Sequence, residues 1–312
     1  MDIVLLFPGQ GSQKPGMGKD VFAAFPSAQA IFEEADAALE FPLSALCFEG
    51  PDHDLMATRN AQPALLTHGA AVWATIADRL RPYVRASAGH SLGEFTAYHA
   101  AGSLSFRDAV RLVRRRGELM FESGAKRPGA MAAILGLSEA NVEEACARAR
   151  VAGDVVPANY NTPEQLVISG EVAAVERAMA IAKEMGAKRA IRLNVSGAFH
   201  SPLMADASRG LEIALDATPV ASAEFPVYSN VSAYPTAGSS DAKALLLRQL
   251  TSPVRWTELV GHISEQWPDA LYVEMGPGAV LSTLVKRIVP RARTMACGTA
   301  GEIDQLVGVL PS

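Results

Sequence analysis

Residues 84–94, VRASAGHSLGE, lead from a short apolar run through Gly89, Ser91 and Gly93 into a segment able to form a helix. A strand, a G-x-S-x-G turn and a helix together make the nucleophile elbow. Its small flanking residues let strand and helix pass close to a serine held at strained backbone angles. Ser91 would then stand at or near a helix N-terminus, where backbone N–H groups without intrahelical partners can stabilise an oxyanion. A plainer reading fits the same residues, with Ser91 as an N-cap and Glu94, three positions on, completing an S-x-x-E capping box. Both readings stand on this stretch alone.

Upstream, MDIVLLFPGQG carries an acid where a signal peptide has basic residues, and its apolar run stops at Pro8, so it reads as a buried first strand. From residue 1 to about 123, short apolar runs (IVLLF, VRASA) alternate with longer helical stretches, which favours a parallel sheet covered by helices. After the breaker SGAKRPG the pattern changes. AMAAILGL, SEANVEEACARAR, DVVPANY, QLVISG, EVAAVERAMAIAKEMG and KRAIRLNV read as β-α-β-β-α-β, a ferredoxin-like unit within residues 126–195. FPVYSNV and LYVEMG then resume the apolar-strand pattern. Residues 1–125 and 196–312 are therefore expected to form one large α/β subdomain, with 126–195 as a small one inserted in it.

The composition sets limits on function. With 312 residues and 49% hydrophobic composition the chain has ample core material, and 28 basic against 33 acidic residues give a formal charge of −5, a poor footprint for nucleic acid or an anionic membrane. Cys47, Cys146 and Cys297 lie far apart with no CxxC spacing, so neither disulfides nor a metal site are expected, and a reducing cytoplasm is the simplest location. The longest apolar candidate, ALLTHGAAVWATIADRL, is broken by His68, Asp78 and Arg79, so no membrane span is expected.

A nucleophilic serine needs a base. Of the six histidines, His68 and His99 fall in helical stretches, His53 and His262 lack a supporting motif, and His90 adjoins the serine but is expected to point away from it along the turn. His200, in NVSGAFHSPLM, follows a strand and precedes the helix-start signal Ser201-Pro202, which places it among strand-end loops where sites of open sheets form. No Asp or Glu stands in a clear strand-end loop between Ser91 and His200, so a dyad oriented by a backbone or amide oxygen is one solution. In SFRDAVRLVRRRGELMFE the helical period sends Arg111, Arg114, Arg115 and Glu118 outward but aims Arg116 inward, beside Leu112, Val113 and Met120. A buried guanidinium demands an anion, either an internal acid, the commoner case, or a carboxylate on a substrate.

Taken together, FPGQGSQKPGMG, GHSLGEFTAY, RRRGELM, GAMAAILGL, NYNTPEQLVISG, VSGAFHSPLM, LLRQLTSPVRW and EMGPGAVLSTLVKR, in this order along the chain, resemble the malonyl-CoA:acyl-carrier-protein transacylases of fatty acid and polyketide synthesis. The resemblance implies an α/β-hydrolase-like large subdomain with an inserted ferredoxin-like one. It implies ping-pong malonyl transfer from malonyl-CoA to the phosphopantetheine thiol of an acyl carrier protein, in a cytoplasmic monomer needing no cofactor. Ser91 would be the nucleophile and His200 the base. Arg116 would hold the malonyl carboxylate, the Gln10 and Leu92 N–H groups would form the oxyanion hole, and Gln249 would orient the histidine through its main chain. Asn159 and Asn161 would face the cleft. Phe199 in AFH resembles malonyl-selective members, whereas ASH types admit methylmalonyl groups; Gly197 replaces the histidine of many synthase domains. Arg114 and Arg115 would either be merely solvated or meet the acidic carrier. The same machinery would also serve a serine hydrolase, a transacylase subunit of another assembly such as malonate decarboxylase, or, without catalysis, a scaffold that binds acyl carriers.

Overall fold

The structure, a computed structural model, describes residues 1–195, 197–236 and 238–311. Ser196, the expected start of the returning segment, lies outside them. Among the described residues, ten strands make two sheets: β1 (Ile3–Phe7), β2 (Val84–Gly89), β7 (Val227–Tyr228), β8 (Pro235–Thr236), β9 (Leu271–Met275) and β10 (Arg293–Cys297) in one, with β3 (Gly129–Leu135), β4 (Val155–Thr162), β5 (Gln165–Glu171) and β6 (Arg189–Arg192) in the other.

The first sheet has the order β10-β9-β1-β2-β7-β8 and is parallel except for β8, which pairs antiparallel with β7. Its central strand is apolar at every position because both faces are covered. Ile3, Leu5 and Phe7 pack into one core with the long helices Thr58–Leu80 and Phe106–Lys126, while Val4 and Leu6 face a second core with Trp256, Leu259 and Leu284. The second sheet is antiparallel, in the order β4-β5-β3-β6, with the helices Glu139–Ala149 and Val172–Glu184 closing its own core on one face. The chain order is the β-α-β-β-α-β expected from the pattern.

Three local expectations change. The helix entering the small subdomain runs through Ser123, Gly124 and Lys126, so the breaker takes effect only at Arg127-Pro128. FPVYSNV yields just two strand residues: after Tyr228 the chain turns at once, with Ser229 N donating to Tyr234 O, and returns as β8. KRAIRLNV forms only the short edge strand β6, after which Leu193 N donates to Met131 O and the chain leaves the sheet.

The two sheets meet along β4. Tyr160 N donates to Val254 O at 2.9 Å and Val254 N to Ala158 O at 2.8 Å, so the small subdomain is stitched to the segment that follows Gln249. No helix among the described residues is long and apolar enough to cross a membrane.

Candidate active site

Ser91 stands between the C-terminal end of β2 and the helix Gly93–Ala100, with φ 53°, in the left-handed region. A non-glycine residue is held there only when its surroundings over-determine it. The two flanking glycines are sterically required. A Cβ on Gly89 would come within 1.8 Å of Gly93 C, and one on Gly93 within 2.0 Å of Phe7 O. The capping-box reading fails here, because the helix has no side-chain cap and the Ser91 hydroxyl is committed elsewhere.

Ser91 Oγ lies 2.8 Å from His200 Nε2. His200 is 4% exposed, has φ 56°, and packs just before the turn Pro202–Met204. Its Nδ1 lies 2.9 Å from Gln249 O and 3.2 Å from Ser252 O, two groups that only accept. That network assigns the proton to Nδ1 and leaves Nε2 free as an acceptor towards the serine. The helix Ser239–Gln249 ends at Gln249, so carbonyls without intrahelical partners stand where a triad acid would. The negative end of the helix dipole favours an imidazolium at this place. Burial, and next the Arg116 charge, push the imidazole down to about 3, so it is neutral at physiological pH.

Arg116 is 1% exposed, on the inner face of the helix Phe106–Lys126 as the period requires. Its Nη1 donates to Gln62 Oε1 at 2.7 Å, and its Nη2 to Ser91 Oγ at 3.1 Å and to Gln249 Oε1 at 3.0 Å, while the ring of Phe95 lies 5.4 Å beneath the guanidinium. All these acceptors are neutral. Nε meets no acceptor among the described residues, and no carboxylate there forms an ion pair with this arginine. Burial lowers it to about 10, with Glu94 opposing, so it stays charged at neutral pH. The site therefore holds a cation whose fork is incompletely satisfied.

These groups line a cavity of about 200 Å³ together with Gln10, Leu92, Met120, Phe199, His90, Asn159 and Asn161. The Gln10 side chain is held away by Thr58, with Nε2 donating to Thr58 Oγ1 at 3.1 Å. Neither the Gln10 nor the Leu92 N–H donates a hydrogen bond among the described residues, so both are available to an oxyanion. His90 turns away from the serine, as expected. Its Nε2 lies 2.8 Å from Asn161 Oδ1 and its ring is 5.6 Å from that of Trp256, so it ties the elbow to the small subdomain. A second cavity of about 230 Å³ shares Gln10 and Val195 with the first and opens past Met56, Phe121 and Asn194.

Arg114 and Arg115 differ from Arg116. Pro63, inside the helix Thr58–Leu80, has no N–H for Arg59 O, and Arg114 Nη1 donates to that carbonyl at 3.1 Å. Arg114 also bonds Asn60 and Glu118, and lies over the Phe41 ring. Arg115 stays half-exposed beside Glu118 and Glu122. Arg114 thus has an internal account, as a pin between two helices.

Sequence reasoning missed Gln62, Asn230 and the inward direction of Glu94. Gln62 and Glu94 sit on helices buried on nearly every face, where the period carries no directional signal, and Asn230 lies in an unmarked turn.

A half-buried serine paired with a buried histidine, beside free backbone donors and a buried cation, defines an acyl-transfer site of the nucleophilic-serine kind. The family model described as acyl transferase domain matches residues 4–305. A malonyl CoA-acyl carrier protein transacylase of Bacillus subtilis is 46% identical over 310 residues, covering 99% of this chain and 97% of the relative. Among solved structures, an acyl-carrier-protein-S-malonyltransferase from Bartonella henselae superposes with a TM-score of 0.95 at 41% identity, covering 99% of both chains. A malonyl-transacylase in complex with a type II PKS acyl-carrier protein gives 0.94 at 39% identity, again over 99% of both. The chain belongs to the acyl transferase family, and within it to the malonyl-CoA:acyl-carrier-protein transacylases.

Proposed function

We propose that this enzyme moves a malonyl group from malonyl-CoA to the phosphopantetheine thiol of an acyl carrier protein through a malonyl ester on Ser91. The observation that carries the reading is the buried, carboxylate-free guanidinium of Arg116 at 3.1 Å from the nucleophile's hydroxyl. A generic esterase, whose acyl group is neutral, would leave that charge unmatched.

In the first half-reaction the substrate's free carboxylate takes the vacant donors of Arg116, and Ser91 Oγ attacks the thioester carbonyl carbon. His200 Nε2 accepts the hydroxyl proton. The Gln10 and Leu92 N–H groups take the oxyanion, and collapse expels the CoA thiolate, which receives the proton from His200. In the second half-reaction His200 deprotonates the carrier's thiol, which attacks the ester carbonyl; Ser91 leaves and recovers its proton. Every bond change is served by groups of this chain and the two thiols, so the scheme needs no cofactor. The substrate also tunes the base: a carboxylate on Arg116 offsets the charge that depresses His200, and so raises the basicity of Nε2 when the right acyl group is bound. The second cavity, opening from Gln10 and Val195, offers the pantetheine arm a way in.

Phe199, 5% exposed on the cavity wall, supports selection against an α-methyl branch. Intact-protein mass measurement with malonyl-, methylmalonyl- and acetyl-CoA, followed by a chase with holo carrier protein, tests the scheme. The expected result is a malonyl increment on Ser91, a smaller methylmalonyl one, and loss of the increment to the carrier. Release of free malonate at the same rate with and without carrier would make the protein a hydrolase instead.

A further inference from the structure

Glu94 is fully buried, one helical turn beyond the nucleophile, and no step of the transfer scheme uses it. Its Oε2 accepts two hydrogen bonds: from Asn230 N at 3.0 Å and from Gln249 Nε2 at 2.7 Å. Each donor belongs to a residue that grips Ser91. Asn230 Oδ1 accepts from Ser91 N at 2.7 Å, while Asn230 Nδ2 donates to Gly89 O at 2.7 Å. Gln249 Nε2 also donates to Ser91 O at 2.9 Å. Both main-chain groups of a serine held at positive φ are thus fastened by two residues, Asn230 through its backbone N–H and Gln249 through its amide, that converge on one carboxyl oxygen.

The same oxygen fixes the Gln249 amide. Its Oε1 receives Arg116 Nη2 and its Nε2 faces Glu94 and Ser91 O. A flipped amide would set its NH2 against the guanidinium and its carbonyl against two acceptors, so the orientation is determined from both sides. Gln249 therefore links a buried acid to a buried cation. Its own carbonyl, at the end of its helix, orients His200.

We propose that Glu94 is the positioning residue of this site, a buried carboxyl group that fastens the strained nucleophile and the Gln249 amide, and through that amide aligns Arg116. The inference rests on the transfer reading and adds to it. Loss of both acceptor bonds leaves Asn230 N and Gln249 Nε2 each short of a buried partner, and the two bonds together are worth enough that the expected slowing is about 100-fold.

The test is single-turnover labelling of Ser91 by malonyl-CoA and by acetyl-CoA, followed by intact mass, on Glu94→Ala and Glu94→Gln. In Glu94→Ala both labels should form about 100-fold more slowly yet reach full extent, with a raised KM for malonyl-CoA because Arg116 loses its alignment. Glu94→Gln keeps an oxygen for both donors and should recover most of the acetyl rate. Should the alanine variant not fold, Glu94→Asp, which withdraws the oxygen by one methylene, reads the same way. Incomplete labelling at an unchanged rate would mean that Glu94 only supports folding and would overturn the proposal. So would an unaltered rate in Glu94→Ala or Glu94→Asp, or a glutamine variant as slow as the alanine one. Failure of the transfer reading is separate: wild-type Ser91 would then take no label from malonyl-CoA.

Discussion

The cavity has two unlike walls. On the large-subdomain side stand Ser91, His200, Arg116 and their supports Gln62 and Gln249; on the small-subdomain side stand Met131, Asn159, Asn161, Val167, Leu193 and Val195, none of them charged. The first wall is built on helices and strand ends packed into the main core, and its polar groups are bonded to one another. The second is one face of the small sheet: its Met131 and Val167 pack into the main core, its other face has a core of its own, and β4, Val254 and the His90–Asn161 bond join it to the first wall. Chemistry that depends on sub-ångström placement falls to the wall whose polar groups are bonded to one another, and shape to the uncharged wall.

Substitutions that separate the walls should therefore differ in kind as well as size. The largest effect is expected for Ser91→Ala, which should lower acyl-enzyme formation by about 10⁴-fold or more, to background in intact-mass measurement. Next, Arg116→Ala should cost malonyl transfer about 100-fold, the worth of its charge-assisted bonds, while acetyl transfer is retained or rises. An unchanged malonyl-to-acetyl ratio would remove Arg116 from substrate recognition. Smallest, Asn161→Ala on the opposite wall removes the partner of His90 and should change the malonyl-CoA rate by no more than roughly 10-fold, one neutral hydrogen bond's worth. A loss as large as that of Arg116→Ala would show that the small subdomain shares the chemistry.

Acid provides another way to sharpen the comparison, with an effect between those of Arg116→Ala and Asn161→Ala. His68, His90, His99 and His200 are all depressed, first by burial. Below the ordinary imidazole range of about 6.5 the unfolded chain binds protons that the folded chain refuses, so these groups remove stability as pH falls from there. Glu94 acts with the opposite sign. Raised to about 7, mainly by burial, it binds a proton in the folded state between there and 4.5, and adds stability on acidification. Glu139 and Glu274, also raised first by burial, act as Glu94 does, and a thermal midpoint that falls between pH 6.5 and 5 would show that the four histidines dominate these three acids. Ser91 malonylation should show no imidazole limb in that range, because His200 stays neutral down to about 3. Glu94 is faced by Arg116 from the neighbouring helix and by Tyr98 from its own. A shallow limb near pH 7 would belong to Glu94, and Glu94→Gln should erase it.

Much of this was legible in the residues. The alternation of short apolar runs and helices marked the parallel sheet, and the β-α-β-β-α-β order marked the second one. G-x-S-x-G marked Ser91, and the helical period turned Arg116 inward. Other features carried no linear signal. The shortness of β7 follows from a turn whose Ser229–Tyr234 bond cannot be read in FPVYSNV, and the helix through Ser123 and Gly124 is held by its packing despite two residues that disfavour it. Glu94 looked like half of a capping box because spacing alone does not say whether a side chain points along the helix end or into the core.

The sequence by itself determined the two-sheet plan, the strand-to-helix elbow, and the need of a buried arginine for an anion. These rest on local propensity and period, which neighbouring residues set among themselves. The family resemblance pointed to the Gln249 main chain, and the tertiary structure added the Ser252 carbonyl beside it, so that two carbonyls orient the histidine instead of an acid. Only the tertiary structure decided that Arg116 meets only amides and a hydroxyl, and that Ser91 is fastened through Asn230 and Gln249 to Glu94. Those contacts join residues from 25 to 158 positions apart. They exist because packing both faces of the sheet brings its strand ends together in a largely buried space, where most polar groups take a protein partner.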